Sequence, residues 1–184
     1  IGEEYAFGIA LGDSSNLFVT GLIDSEDSSL NTKGQCINHD IFVARYNNQG
    51  TMQWLYKIGA LGTDIGWGIT TDKDNAVYSV SSFQDTLFLN NDTLLSNGFY
   101  DMLITKFTAQ GTLVWARNAG GILGDRQIKA VIPGGSSTMV LRGEKLDGVN
   151  MDADSLKAAG SSVGTAGLIV MDEDTDLVRV LARI

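Results

Sequence analysis

Apolar and polar residues alternate in short runs along this chain, and the runs recur. Leu17-Phe18-Val19-Thr20-Gly21 follows the polar cluster Asp13 to Asn16, Val77-Tyr78-Ser79-Val80 follows Lys73-Asp74-Asn75, and Met139-Val140-Leu141 follows Gly134 to Ser137. A period of two between Asn, Asp and Gly clusters predicts strands, and no segment keeps the 3.6-residue period of a helix. Two longer strands close each unit. Asp40 to Tyr46 and Thr51 to Trp54 flank the turn Asn47-Asn48-Gln49-Gly50, while Asp101 to Phe107 and Thr112 to Trp115 flank Thr108-Ala109-Gln110-Gly111. The third version, Gly167 to Met171 and Leu177-Val178, carries Asp172-Glu173-Asp174-Thr175 in that turn. Two apolar triplets around Asn90-Asn91-Asp92 predict a small hairpin, with counterparts at Val149 to Leu156 and, in more polar form, at Ser25 to Gly34.

Self-similarity at this period marks a repeat architecture, in which one unit cannot bury its own apolar face and stacks on a neighbour. The chain divides into units at about 1–60, 61–121 and 122–184 of a single array, with no linker between them. About four main antiparallel strands per repeat is the content of a β-propeller blade. The fold expected is therefore all-β, with three repeats forming part of a propeller. The third unit departs from the pattern: it lacks both the tryptophan and the closing glycines, and Arg179 stands at the tryptophan position.

Composition narrows the function classes. The 184 residues are 43% hydrophobic, and no run approaches the eighteen apolar residues of a membrane span. With 22 glycines and one proline, turns fall to Gly, Asn and Asp. A formal charge of -9 argues against nucleic acid as a partner, because that affinity needs clustered Lys and Arg. The single cysteine, Cys36, cannot form an internal disulfide. His39 is the only histidine, so neither a His-based metal cluster nor a Ser-His-Asp arrangement can be assembled, and no catalytic residue or cofactor is assigned. The expectation is a protein that is not an enzyme.

The remaining candidates each have a plain structural alternative. Asp172, Asp174 and Asp176 could offer oxygens to calcium, but Leu177 and Arg183 stand where the twelve-residue loop requires glycine and glutamate, so a solvated acidic turn is preferred. Asp72 and Asp74 are likewise assigned to a turn. Trp54, Trp67 and Trp115 are expected to pack between units, with sugar stacking as the alternative. Asn91-Asp92-Thr93 fits a glycosylation sequon. Gly120-Gly121 precedes no phosphate-binding lysine and is assigned to a turn between units.

Asp64-Ile65-Gly66-Trp67-Gly68-Ile69 with Asn75 to Tyr78, and Asp101 to Phe107 with Gln110-Gly111, Trp115 and Gly120-Gly121, resemble the SBBP-type β-propeller repeat family of surface and secreted proteins. The resemblance implies a non-enzymatic extracellular or cell-surface scaffold for adhesion, protein–protein interaction or assembly, and brings no catalytic residues. A carbohydrate-binding module and a fragment of a propeller enzyme are the alternatives. Propellers close at about four to eight blades, so three units need their end faces covered. Further blades of the same chain are the first expectation, and other protein chains, a homo-oligomer or a filament the second.

Overall fold

A computed structural model describes residues 4–13, 16–24, 39–72, 74–90 and 92–120, and beyond them only the strands at 128–134, 138–143, 150–151, 167–172 and 177–183. The described residues are all-β. The first unit forms a four-stranded antiparallel sheet from β1 (Tyr5–Leu11), β2 (Leu17–Asp24), β3 (His39–Tyr46) and β4 (Met52–Ile58), in chain order. The second contains β5 (Ile65–Thr71), β6 (Val77–Phe83), the hairpin strands β7 (Thr86–Leu89) and β8 (Asp92–Leu95), then β9 (Asp101–Phe107) and β10 (Leu113–Gly120). The third supplies β11 (Ile128–Gly134), β12 (Thr138–Gly143), β13 (Asn150–Met151), β14 (Gly167–Asp172) and β15 (Leu177–Arg183).

The strand order β11-β12-β14-β15 repeats that of the first sheet, and β7 and β8 pair only with each other. The second sheet runs β13-β10-β9-β6-β5, because the short β13 of the third unit pairs with β10 through Ala119↔Met151 and Gly120↔Asn150. The sequence expects a hairpin at 149–156. Of it only β13 is described, and it extends the neighbouring unit's sheet. The polar counterpart at Ser25 to Gly34 lies outside the described residues. Four-stranded antiparallel sheets per unit are thus present, and they do not close into a ring among the described residues.

The turns show why the recurring residues are needed. Asn47 Oδ1 accepts the backbone N–H of Gln49 (3.0 Å) and Thr51 (2.9 Å), and Gly50 completes the reversal at φ +75°. In the second unit Thr108 Oγ1 accepts Thr112 N–H at 3.2 Å and Gly111 takes φ +87°. A side chain is strained in that region of backbone space, so glycine terminates both turns.

The sheets stack with β5 against β1, β2 and β3 of the first sheet, and with β11 against β5 and β6. Pairing places Ile69 opposite Ser79, Val77 opposite Phe107 and Ser81 opposite Leu103, so these residues share one face of the second sheet. That face meets Phe18, Ile41 and Val43 of the first sheet in one core, joined by Phe83. Some polar residues in the contact are paired within it: Ser79 and Thr105 hydroxyls bond at 2.6 Å, and Thr20 Oγ1 donates to Phe42 O at 2.8 Å, whereas the buried Ser81 hydroxyl has no hydrogen-bond partner among the described residues. Backbones approach closely where β1 and β5 cross. A Cβ on Gly8 would lie 3.1 Å from the Gly68 Cα, and one on Gly66 would lie 2.9 Å from the Gly21 carbonyl.

Candidate functional site

Two constellations sit at the junction of the first and second sheets. The first is an acidic corner. It forms where β3 begins, where the connector from β4 to β5 passes, and where β6 leaves for the hairpin. Asp64, fully buried, takes the Ala60 N–H on Oδ2 (2.6 Å) and the Gln84 N–H on Oδ1 (2.9 Å), while its own N–H donates to His39 O at 2.8 Å. Gln84 answers with Oε1, which accepts Thr63 N–H at 2.8 Å. Asp40 is also buried and lies against Gly59, at a position where any Cβ would overlap its carboxyl group.

Burial pushes the Asp64 carboxyl up to about 7 from the ordinary 3.8. Its two backbone hydrogen bonds work against that shift, and the charges of Asp40 and Asp85 add to it. A carboxyl with such a value can exchange a proton near neutrality, which general acid–base chemistry requires. Here both oxygens are occupied by backbone N–H groups, so the corner acts as a latch between connector and link. Asp101, at the start of β9 as Asp40 is of β3, is raised by burial too and accepts Asn97 N–H at 2.7 Å. Among the described residues no three or more His, Cys, Asp or Glu side chains are grouped to hold a metal.

The second constellation is an aromatic seam. Trp54 Nε1 donates to Ala109 O at 3.0 Å, and Arg45 donates to the same carbonyl at 2.9 Å. The indole lies over Gly111, whose absent Cβ would stand 2.7 Å from the ring. Phe107 packs between Trp54 (centroids 6.1 Å apart) and Tyr56 (5.0 Å, edge-on). One unit's tryptophan is thereby seated on the next unit's turn. Trp54→Phe keeps an aromatic ring but removes the N–H and part of the indole's packing over Gly111, and should lower stability by at least about 1 kcal/mol in a denaturant titration.

The other residues singled out in the sequence fall elsewhere. Trp67 meets Phe7 across the sheets (5.3 Å) and donates to Ser82 Oγ at 2.9 Å. Trp115 meets Tyr78 edge-on at 6.2 Å, and its buried Nε1 has no acceptor among the described residues. Asp72 Oδ1 accepts the N–H groups of Asp74 and Ala76, which closes the turn before β6. The side chain of Asp172 lies outside the described residues, as do Asp174, Asp176, Asn91 and Cys36 altogether. Among the described residues, no catalytic set, metal site or sugar site is brought together by these positions. The residues that do converge at the acidic corner are Asp64 and Gln84, with Asp40 buried nearby, and no chemical motif marks them. The one available signal is recurrence, with Asp40 and Asp101 opening equivalent strands and Asp64 and Asp125 sharing the glycine-flanked turn.

No family model matches the chain. A 69-residue stretch is 51% identical to the F subunit of NADH-quinone oxidoreductase in Rickettsia bellii (strain OSU 85-389), covering 37% of this chain and 16% of that protein. The corresponding protein of Rickettsia rickettsii (strain Sheila Smith) and the one numbered 2 in Rhizobium meliloti (strain 1021) are each 51% identical over 67 residues, again 16% of their length. The chain thus spans about one sixth of the length of these curated relatives.

These findings correct several expectations. The SBBP-type assignment is overturned, since no family model supports it and the relatives found belong to an enzyme assembly. With it go the non-enzymatic surface scaffold, its carbohydrate-binding and propeller-enzyme alternatives, and the extracellular placement. The physical reason is that a strand repeat records packing demands, which are indifferent to chemistry and to compartment.

Proposed function

We propose that this chain carries part of a polypeptide related to the F subunit of NADH-quinone oxidoreductase. Most of the likeness is assigned to the third unit, residues 122–184, and the residues before it form two stacked blades of propeller type. The observation that carries the proposal is the 51% identity over 67 to 69 residues shared with the Rickettsia and Rhizobium proteins. The third unit is the place for it because that unit departs from the repeat: Arg179 replaces the tryptophan and the chain's single proline is Pro133, and its 63 residues hold most, not all, of a match of 67 to 69. In this reading the partners are other subunits of such an oxidoreductase. Activity belongs to the assembly and not to the acidic corner, whose carboxylate oxygens are held by backbone.

A graft tests both parts. The matching segment of the Rickettsia bellii protein is replaced by residues 122–184, and NADH oxidation by the assembled complex is measured with ferricyanide as acceptor. The rate is expected within about threefold of the parent. A parallel graft of residues 53–121 should fail to assemble or to oxidise NADH. An assembled 122–184 graft no faster than a deletion of the segment would overturn the proposal, and success of the 53–121 graft alone would move the likeness to the second unit.

A further inference from the structure

We infer that Asn97 is a self-modification site, where the chain converts the Asn97–Gly98 linkage to isoaspartate with the Asp101 carboxylate as proton acceptor. The inference is independent of the oxidoreductase likeness. Closure of an asparagine into a succinimide needs a side-chain amide free to turn onto the next residue's backbone nitrogen, and a nitrogen that no side chain shields. Among the described asparagines only Asn97 meets both demands. Asn16 Nδ2 donates to Asp13 O at 2.8 Å, and Asn47 Oδ1 is taken by two backbone N–H groups. Asn75 is held at both side-chain atoms by Asp13, and Asn118 Nδ2 donates to Leu95 O at 3.0 Å. Asn48 and Asn90 are followed by residues that carry a side chain, Gln49 and Asn91. Asn97 is exposed, precedes Gly98, and makes no side-chain hydrogen bond among the described residues.

The fold brings a base to the same bend. Residues 97–100 carry the chain from β8 into β9, with Ser96 N–H tied to Asp85 O (2.9 Å) and Ser96 Oγ donating to Gly98 O (2.9 Å). Asp101 closes the bend from beneath. Fully buried, it accepts Asn97 N–H on Oδ2 at 2.7 Å, while its Oδ1 completes no hydrogen bond among the described residues. Burial raises this carboxyl, which strengthens it as a base, and the N–H groups of Asn97 and Gly98 draw it part of the way back. The Gly98 N–H therefore faces its acceptor. The Gly98 proton passes to Asp101, the nitrogen bonds to Asn97 Cγ, and the Cγ–Nδ2 bond breaks as ammonia leaves with that proton. Water then opens the ring at either carbonyl, to aspartate or to isoaspartate. The net reaction is hydrolysis of one amide, without oxidation or reduction. Either product puts a second carboxylate beside the buried Asp101, and isoaspartate adds a methylene to the backbone ahead of β9, where Asp101 pairs with Phe83.

Incubation of the folded chain near neutral pH, followed by peptide mapping and enzymatic methylation of isoaspartate, tests the inference. Aspartate and isoaspartate are expected at residue 97 and not at Asn47 or Asn75. With Asp101 as the base, the rate should change less than about threefold between about pH 6 and about pH 8, whereas catalysis by hydroxide rises roughly tenfold per pH unit. Asp101→Asn keeps the side-chain shape, and should slow conversion at least about tenfold near neutral pH and give it that steep dependence. Gly98→Ala should suppress conversion with unchanged circular dichroism. A residue 97 that stays asparagine in the folded chain overturns the inference. So does a native rate that climbs about tenfold per pH unit, or an Asp101→Asn chain that converts as fast as the native one. The native pH profile decides alone if Asp101→Asn does not fold.

Discussion

Phe107→Ala should lower the unfolding free energy by roughly 3–5 kcal/mol, the range for removing a fully buried aromatic ring. Phe107 is fully buried at the crossing of two sheets, between Trp54 and Tyr56 of the first and beside Val77 of the second. Its loss opens a cavity that neither sheet can close by itself, because Trp54 is pinned to Ala109 and Tyr56 belongs to a paired strand. Denaturant titration gives the number. A change below about 1 kcal/mol would show that the ring is not at the centre of the contact.

The second large effect comes from Asp64. Its carboxyl lies near 7 in the folded chain and near 3.8 when unfolded, so between those values the folded protein holds a proton that the unfolded chain has released. That contribution is fully present below about pH 3.8 and is lost as pH rises through about 7, at up to about 1.4 kcal/mol per pH unit. The facing acidic groups, Asp40 and Asp85, reinforce the trend. Thermal midpoints should fall between pH 5 and pH 8 in the native chain, and Asp64→Asn should flatten that fall. Asp64→Ala leaves the Ala60 and Gln84 N–H groups without their acceptor and should cost roughly 2–5 kcal/mol at pH 5. A native midpoint that rises from pH 5 to pH 8 in step with the Asp64→Asn variant would remove Asp64 as the source.

The strands were legible because packing demands write directly into period-two spacing. The hairpin β7–β8 could be read from two apolar triplets around Asn90-Asn91-Asp92, and Asn90 does take the left-handed turn conformation, at φ +51°. The acidic corner was not legible. Asp64 is polar in a glycine-rich turn and looks solvated in sequence, and only the folded connector and the pairing of β5 with β6 reveal that its oxygens serve both Ala60 and Gln84, the latter twenty residues further along the chain. The role of β13 was hidden for the same reason, since pairing with β10 is a contact between units. The likeness to an oxidoreductase polypeptide lies in residue identities and not in spacing.

The central structural claim is that the tryptophan of one unit and the phenylalanine of the next form a single seam. A double-mutant cycle on Trp54→Ala and Phe107→Ala measures it most directly. A coupling energy of at least about 1 kcal/mol is predicted, because each ring loses its partner in the single variants. Additivity within about 0.3 kcal/mol would mean that the two rings do not share a contact, and would contradict the stacking of the two sheets.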